Sequence, residues 1–181
     1  MEVLMNKSNP IIQISDIEKF KSYFEHHERD WLLFSIGINI PVKTNTLLSL
    51  KPSELNHEEN LYYFIVNNHT IYLSEEISDR LRAYIVEHAI SDDEYIFKST
   101  KTKRVLTRQQ FHRILTDAKK NVHYSGVLGS QALKKTFAYQ AYVQGVDIRQ
   151  IQQICGHHTK AETYKFIDVN YEDARFIQLN L

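Results

Sequence analysis

The stretch from Trp31 to Ile40, which is apolar on every face, constrains the fold of this chain more than any other feature. A surface helix keeps one polar face, so a helix that is apolar all round must lie inside a domain or a membrane. The stretch is only about half as long as a membrane span requires. It therefore predicts a helix buried at the centre of a globular domain, and Pro41, which cannot continue the helix, marks its end.

Most of the remaining sequence has helical periodicity, with apolar residues three to four positions apart. These segments are 17–24, 77–85, 111–118, 133–141 and 148–154, and a short helical segment begins near residue 43. Ser15 or Asp16 is a candidate cap for the first helix, and Ser130 and Asp147 are candidate caps for the last two. Gly145 and Gly156 are the expected helix stops.

Two short segments have the composition of β-strands. Residues 61–66 and 70–73 are rich in Tyr, Ile and Val, and they are separated by Asn67-Asn68. Asparagine tolerates the left-handed backbone of a tight hairpin turn. We expect a mainly α domain with one small antiparallel β-hairpin or sheet, in the α+β class.

Composition narrows the class of protein. With 181 residues, of which 43% are apolar, the chain is long enough for one domain with its own core. The single cysteine, Cys155, lies among apolar helix positions and is interpreted as a core thiol. The N-terminus has no signal pattern, so we expect a cytoplasmic protein without a membrane segment. The adjacent His157 and His158 would not share a helix face, and we expect no metal or cofactor.

Charge is balanced overall but uneven along the chain. The 22 basic residues equal the 22 acidic ones, so any binding of phosphate must depend on local clustering. Residues 14–30 and 86–94 are acidic, whereas residues 98–120 carry many lysines and arginines and Lys134 and Lys135 follow. These positions can form one basic face.

The segment from Leu128 onward carries ordered motifs. It contains L-x-x-T-F-A, then G-V-D-I-x-x-I-Q-x-x-x-G-H, and then T-x-x followed by an aromatic residue. In order and spacing these motifs resemble the C-terminal signature of the tyrosine recombinases, also called the phage integrase family. Upstream, KTNTLLSL at residues 43–50 lies where that family has R-x-x-E-L-x-x-L, and the Tyr-Ile-Phe at 95–97 resembles another family stretch. The resemblance covers roughly residues 15 to 170 and implies the catalytic-domain fold of that family.

The resemblance also implies a known chemistry. In the family, a tyrosine oxygen attacks a DNA phosphodiester, two arginines bind the phosphate, a hairpin lysine protonates the leaving oxygen, and two histidine-type positions assist. Carried over to this chain, the arginines fall on Lys43 and Lys134, the first histidine-type position on Gln131 and the second on His157. The attacking tyrosine falls on Phe166, and residues 61–73 contain no lysine. Pro41 replaces the family glycine that lies two positions before the first arginine.

These replacements predict loss of the cleavage chemistry. Without a hydroxyl at Phe166, no covalent intermediate can form there. The two lysines keep positive charge but lack the planar fork that grips two phosphate oxygens. We therefore expect a catalytically inactive, DNA-binding member of the family, a regulator or accessory factor of a phage or other mobile element. The residues expected to contact the phosphates of double-stranded DNA are Lys43, Gln131, Lys134, Lys135, His157, Lys101, Lys103, Arg104 and Arg108.

Two other functions stay open at this point. The chain can be an active recombinase that uses a displaced nucleophile, Tyr164, although a shift of two residues turns a helical side chain by roughly 200°. It can also be a protein-interaction module that does not bind DNA. We divide the chain into an N-terminal tail (1–14), the recombinase-like domain (15–170) and a C-terminal tail (171–181). The apolar end of the last segment is a candidate for homo-oligomerisation.

Overall fold

The computed structural model describes residues 8–170, and within them the chain is mainly helical with one small antiparallel sheet, which confirms the expected fold class. The predicted oligomerisation segment, 171–181, lies outside the described residues. The elements are α1 (Ile14–Phe24), α2 (Glu28–Asn39), α3 (Thr44–Leu48), β1 (Asn56–Glu58), β2 (Leu61–Val66), β3 (His69–Tyr72), α4 (Glu75–Glu87), α5 (Arg108–Asn121), α6 (Ala132–Val143), α7 (Ile148–Cys155) and α8 (Lys160–Phe166).

Helix α2 is the centre of the domain, as its apolar sequence predicts. It is covered by α1, α3, α4 and α6, and its side chains from Trp31 to Phe34 are almost fully buried. Gly37 permits the close approach of α6, because a Cβ atom at this position would lie 2.6 Å from Cδ1 of Leu133. The N–H of Ile40 still donates to the carbonyl of Ile36, and Pro41 then ends the helix.

The sheet has the strand order β1-β2-β3, with both pairs antiparallel. Asn67 and Asn68 have φ angles of 48° and 64°, the left-handed turn predicted for the hairpin. Strand β1 was not predicted, because its Asn-His-Glu sequence has no apolar alternation. It forms through its backbone ladder with β2, in which Asn56 is paired with Tyr63.

Some predicted helix ends are confirmed and others are wrong. The Asp147 side chain accepts from the N–H of Arg149, and Gly145 and Gly156 adopt the positive φ of helix stops. Ser130 and Ser15 or Asp16 are not N-caps, since α6 begins after Gln131 and α1 after Gln13. Just before α6, the N–H of Gln131 donates to Oγ of Ser8 at 3.3 Å. Ser8 lies far from α6 in the sequence, so local sequence signals do not predict this contact.

Residues 8–13, the N-terminal strap, lie in the predicted tail yet pack against α6. The N–H of Ile11, a fully buried residue, donates to Oγ1 of Thr136 at 2.9 Å. The Gln140 amide donates to the carbonyls of Ile11 and Ile12 at 3.0 and 2.8 Å. The strap therefore satisfies polar groups on the helix that carries Lys134 and Lys135.

The buried apolar residues form two clusters. The main cluster surrounds α2 and includes Ala132 at the start of α6. The second cluster contains Ala138, Ile151, Cys155, Tyr164 and Ile167, and it joins α6 to α7 and α8. Helix α6 thus contributes to both. Among residues 8–170, no helix is both long and apolar enough to cross a membrane.

Candidate functional site

Four of the residues singled out from the sequence meet at one place, which we term the lysine–aromatic cluster: Lys134, Lys135, His157 and Phe166. The Nζ atoms of Lys134 and Lys135 lie 5.7 and 5.4 Å from the centre of the Phe166 ring. The His157 ring packs edge-on against the same ring, with centroids 4.8 Å apart. Phe166 is partly buried, and both ammonium groups lie within cation–π distance of its ring.

Lys134 is held by the end of α7. Its ammonium group donates to the carbonyl of Cys155 at 2.9 Å. The last carbonyls of a helix have no partner within the helix and carry partial negative charge, so a cation is favoured there. Within residues 8–170 this is the one hydrogen bond of the Lys134 ammonium group, so two of its three donors remain for a ligand.

His157 is held in a neutral form by its surroundings. Its Nδ1 lies 3.1 Å from Oγ1 of Thr163, and its own carbonyl accepts from the Gln152 amide at 3.3 Å. Burial lowers the pKa of the imidazole, and the charges of Lys134 and His158 lower it further against the opposite effect of Glu162. At neutral pH the ring can exchange hydrogen bonds but adds no positive charge.

Lys135 makes an ion pair with Asp168. Its Nζ atom lies 3.5 Å from Oδ1 of Asp168, and only 13% of its side chain is exposed. The second carboxylate oxygen accepts from the side-chain amide of Asn9, in the N-terminal strap, at 3.1 Å. Neither Asn9 nor Asp168 is predicted from the sequence, because no periodicity or motif relates positions so far apart.

Lys43 and Gln131 lie beside the start of α6 and are exposed. Lys43 immediately precedes α3, and Oγ1 of the next residue, Thr44, donates to the carbonyl of Ser130 at 3.4 Å. The hairpin turn approaches from another side, where the Asn67 amide donates to carbonyls of Gln153 and Ile154 at the end of α7. The chain thus brings α3, the hairpin and α7 around α6, although the hairpin supplies no lysine.

Tyr164 is more deeply buried than Phe166. It is only 8% exposed and belongs to the second cluster, against which the partly buried Phe166 also packs. Its ring packs edge to face on Tyr142, with centroids 5.8 Å apart. The Tyr164 ring is therefore held by packing against Tyr142, whereas the two ammonium groups lie over the Phe166 ring.

The predicted basic residues upstream occupy an exposed loop and the start of α5. Lys101, Lys103 and Arg104 lie in a loop closed by a single β-bridge between Lys98 and Val105. Helix α5 begins at Arg108, after a capping box in which Thr107 and Gln110 exchange hydrogen bonds. None of these residues contributes to the lysine–aromatic cluster itself.

An open cleft of about 1060 Å³ lies beside the start of α6. Its walls include Thr44 and Ser130, the neighbours of Lys43 and Gln131, and Arg108. Two further cations, Arg113 and Lys120, also line the cleft together with Asp117, and both belong to the basic run at 98–120. The cleft thus extends the basic surface from the α3–α6 junction along α5.

Within 8–170, no three His, Cys, Asp or Glu side chains lie close enough together to hold a metal ion.

Burial raises the pKa of the Cys155 thiol to about 11, against an opposite effect of Lys134. The thiol is therefore protonated at neutral pH, in agreement with its interpretation as a core residue.

The arrangement of helices around a three-stranded sheet is similar to solved recombinase structures. The XerA recombinase superposes with a TM-score of 0.73 at 22% identity, over 93% of this chain and 64% of that one. The XerH site-specific recombinase bound to palindromic difH substrate, in a post-cleavage complex, gives 0.73 at 16% identity, over 97% and 54%. The fold is therefore that of a tyrosine recombinase catalytic domain.

Sequence comparison agrees with the fold. Residues 12–173 match the profile of the phage integrase family. The chain is 26% identical over 175 residues to the "Probable integrase/recombinase YoeC" of Bacillus subtilis (strain 168), covering 94% of this chain and 95% of that protein. It is 22% identical to a tyrosine recombinase of Pseudothermotoga lettingae over 86% of this chain, but it spans only 54% of that relative. The chain belongs to the phage integrase family.

Proposed function

We propose that this chain binds double-stranded DNA through phosphate contacts and does not cleave it. The observation that carries the proposal is the Phe166 ring, which packs against His157 and beneath two ammonium groups. This is the position to which the family resemblance assigns the attacking tyrosine. A phenyl ring fills that space and offers no oxygen to a phosphorus atom.

Positive charge around the ring supports phosphate binding. Lys134 keeps free donors, Lys43 is exposed beside α6, and the cleft continues the basic surface along α5. The overall charge is zero, so this clustering gives the chain a local attraction for phosphate that its composition lacks. The similar XerH structure contains its difH substrate, which further supports DNA as the ligand.

The same residues are poorly suited to catalysis. A lysine ammonium is a point charge and cannot donate two parallel hydrogen bonds to a phosphate that is gaining charge. Residues 61–73 offer no lysine as a general acid. Attack by Tyr164 would require its buried ring to leave the second cluster and its packing against Tyr142.

Cleavage can be tested directly. The protein is incubated with a pool of labelled duplexes of random sequence that carry a nick, which traps a covalent adduct by releasing the short strand. We expect no adduct on a denaturing gel. An adduct formed by the wild type and lost in Tyr164→Phe would overturn the proposal in favour of an active recombinase with a displaced nucleophile.

Binding can be tested with a salt titration on an unnicked duplex. Log affinity should fall linearly with log salt concentration, with a slope of about −0.9 for each phosphate neutralised. Lack of binding at low salt would favour a protein-interaction module instead.

We also propose that the chain acts as an accessory or regulatory factor and self-associates through 171–181. Deleting residues 172–181 should then reduce the oligomeric mass measured by light scattering, whereas an unchanged mass would refute self-association through this segment.

A further inference from the structure

Asp168 lies in a left-handed backbone conformation just after helix α8. Helix α8 ends in a Schellman motif, in which the N–H of Asp168 donates to the carbonyl of Lys165 and the N–H of Val169 to that of Tyr164. Asp168 has a φ of 57°, in the left-handed region that glycine, asparagine and aspartate adopt most readily. The side chain of Asp168 makes two further contacts, with Lys135 and Asn9.

The Asp168 carboxylate lies between the two groups that hold it. Lys135 lies 3.5 Å from one oxygen, and the Asn9 amide donates to the other at 3.1 Å. Asn9 is itself fixed, because its N–H donates to the carbonyl of Val127 and its side-chain oxygen accepts from the N–H of Val127. The carboxylate is thus held in place from the strap and from α6.

We propose that Asp168 is an internal competitor of DNA, which occupies the ammonium group of Lys135 in the way that a backbone phosphate would. The inference rests on the proposed function, since it assigns a regulator to the same phosphate site. A carboxylate presents two oxygens with a shared negative charge, as a phosphodiester does. The Lys135 side chain is largely covered while this ion pair is intact.

The competition has two physical parts. A phosphate that reaches Lys135 must share its ammonium group with Asp168 or displace that carboxylate, and it must approach a group of like charge. Lys134 is not subject to the first part, because its partner is a neutral carbonyl. The free protein is therefore expected to bind DNA less tightly, and with fewer phosphate contacts, than the same fold without this carboxylate.

The variant Asp168→Asn tests the competition with little risk to folding, because asparagine suits the left-handed position and can still accept from Asn9. The matched control is Asp79→Asn on α4, which also removes one charge from an ion pair, the 2.7 Å pair of Asp79 with Arg82. Affinity for a fluorescent duplex is measured by anisotropy over a range of salt. We expect Asp168→Asn to bind about three- to tenfold more tightly than the control, with the salt slope steeper by about 0.9.

Dependence on Lys135 is tested with a double-mutant cycle. In a Lys135→Met background, Asp168→Asn should gain much less affinity over Asp79→Asn than it does with Lys135 present, because only the relief of like-charge repulsion remains. A gain over the control that is equally large without Lys135 would overturn the proposal, since the release of the Lys135 ammonium group would then contribute nothing.

A readout without DNA separates this inference from the proposed function. Acetylation of Lys135 by an N-hydroxysuccinimide ester, followed by mass spectrometry, should be faster in Asp168→Asn than in Asp79→Asn or the wild type. An unchanged rate would overturn the ion pair as a restraint on Lys135. If the wild type binds DNA and Asp168→Asn gains nothing over the control, the competition is refuted while DNA binding stands. If no variant binds DNA at low salt, the proposed function fails and the competition fails with it.

Discussion

Replacing Lys134 with methionine separates the two effects of its ammonium group, on stability and on phosphate binding. Methionine keeps an unbranched apolar stem but removes the charge-assisted bond to the Cys155 carbonyl and the contact with the Phe166 ring. A hydrogen bond to a charged group contributes about 1.5–3 kcal/mol, and a partly exposed cation–π contact about 0.5–1 kcal/mol. Relief of the cost of partly burying the cation offsets some of this.

We therefore expect Lys134→Met to lower the free energy of unfolding by about 1–3 kcal/mol. For a domain of this size, that corresponds to a fall in Tm of about 3–9 °C. Thermal unfolding followed by circular dichroism measures the loss. Lys134→Arg is the control, because it keeps a cation near the end of α7 and should lose less.

The same variant should change DNA binding in a characteristic way. If Lys134 contacts a phosphate, Lys134→Met should flatten the salt slope by about 0.9, whereas Lys134→Arg should leave it unchanged. A slope equal to that of the wild type would refute the phosphate contact. An unchanged Tm would refute the stabilising role of the bond to Cys155.

Three further predictions concern the surroundings of the site. Gln140→Ala should cost about 2–4 kcal/mol in urea unfolding, because it leaves the carbonyls of Ile11 and Ile12 without their donor, and a loss under about 0.5 kcal/mol would contradict the role of the strap. The pKa of His157 is lowered in the folded protein, so the unfolded chain binds a proton at this imidazole more readily. The free energy of unfolding should therefore be unaffected by His157 above about pH 6.5 and should fall as the pH drops below that value. His157→Gln should make that decline shallower, and an identical decline would refute the assignment. Iodoacetamide should modify Cys155 far more slowly in the folded protein than in urea, and equal rates would contradict its burial.

Local patterns in the sequence predicted much of the fold. The apolar run of α2 predicted the centre of the domain, and Asn67-Asn68 predicted the left-handed turn. The ordered motifs after Leu128 predicted the family. In each case the signal lies within a short segment, because helix periodicity, turn conformation and family motifs are properties of neighbouring residues.

These local patterns did not predict contacts between segments that are distant in the sequence. Ser8, which accepts from the N–H of Gln131 just before α6, and Asn9, which holds Asp168, lie in a segment without periodicity. Strand β1 is polar and forms only because β2 offers a ladder. The sequence analysis placed Lys135 among the phosphate contacts but gave no sign that a carboxylate already occupies it. Such pairings depend on how the helices pack, which no single segment encodes.

Because the buried apolar residues form two clusters, we expect the two sides of the site to differ in their free energy of local unfolding. The ammonium groups belong to α6, which the main cluster holds at its start, whereas His157 and Phe166 depend on α7 and α8 and the smaller cluster. Local opening of that pair of helices would separate ring and imidazole from the lysines without melting the centre of the domain. Amide hydrogen exchange would record this as a group of α7 and α8 protons that exchange together, well before those of α2.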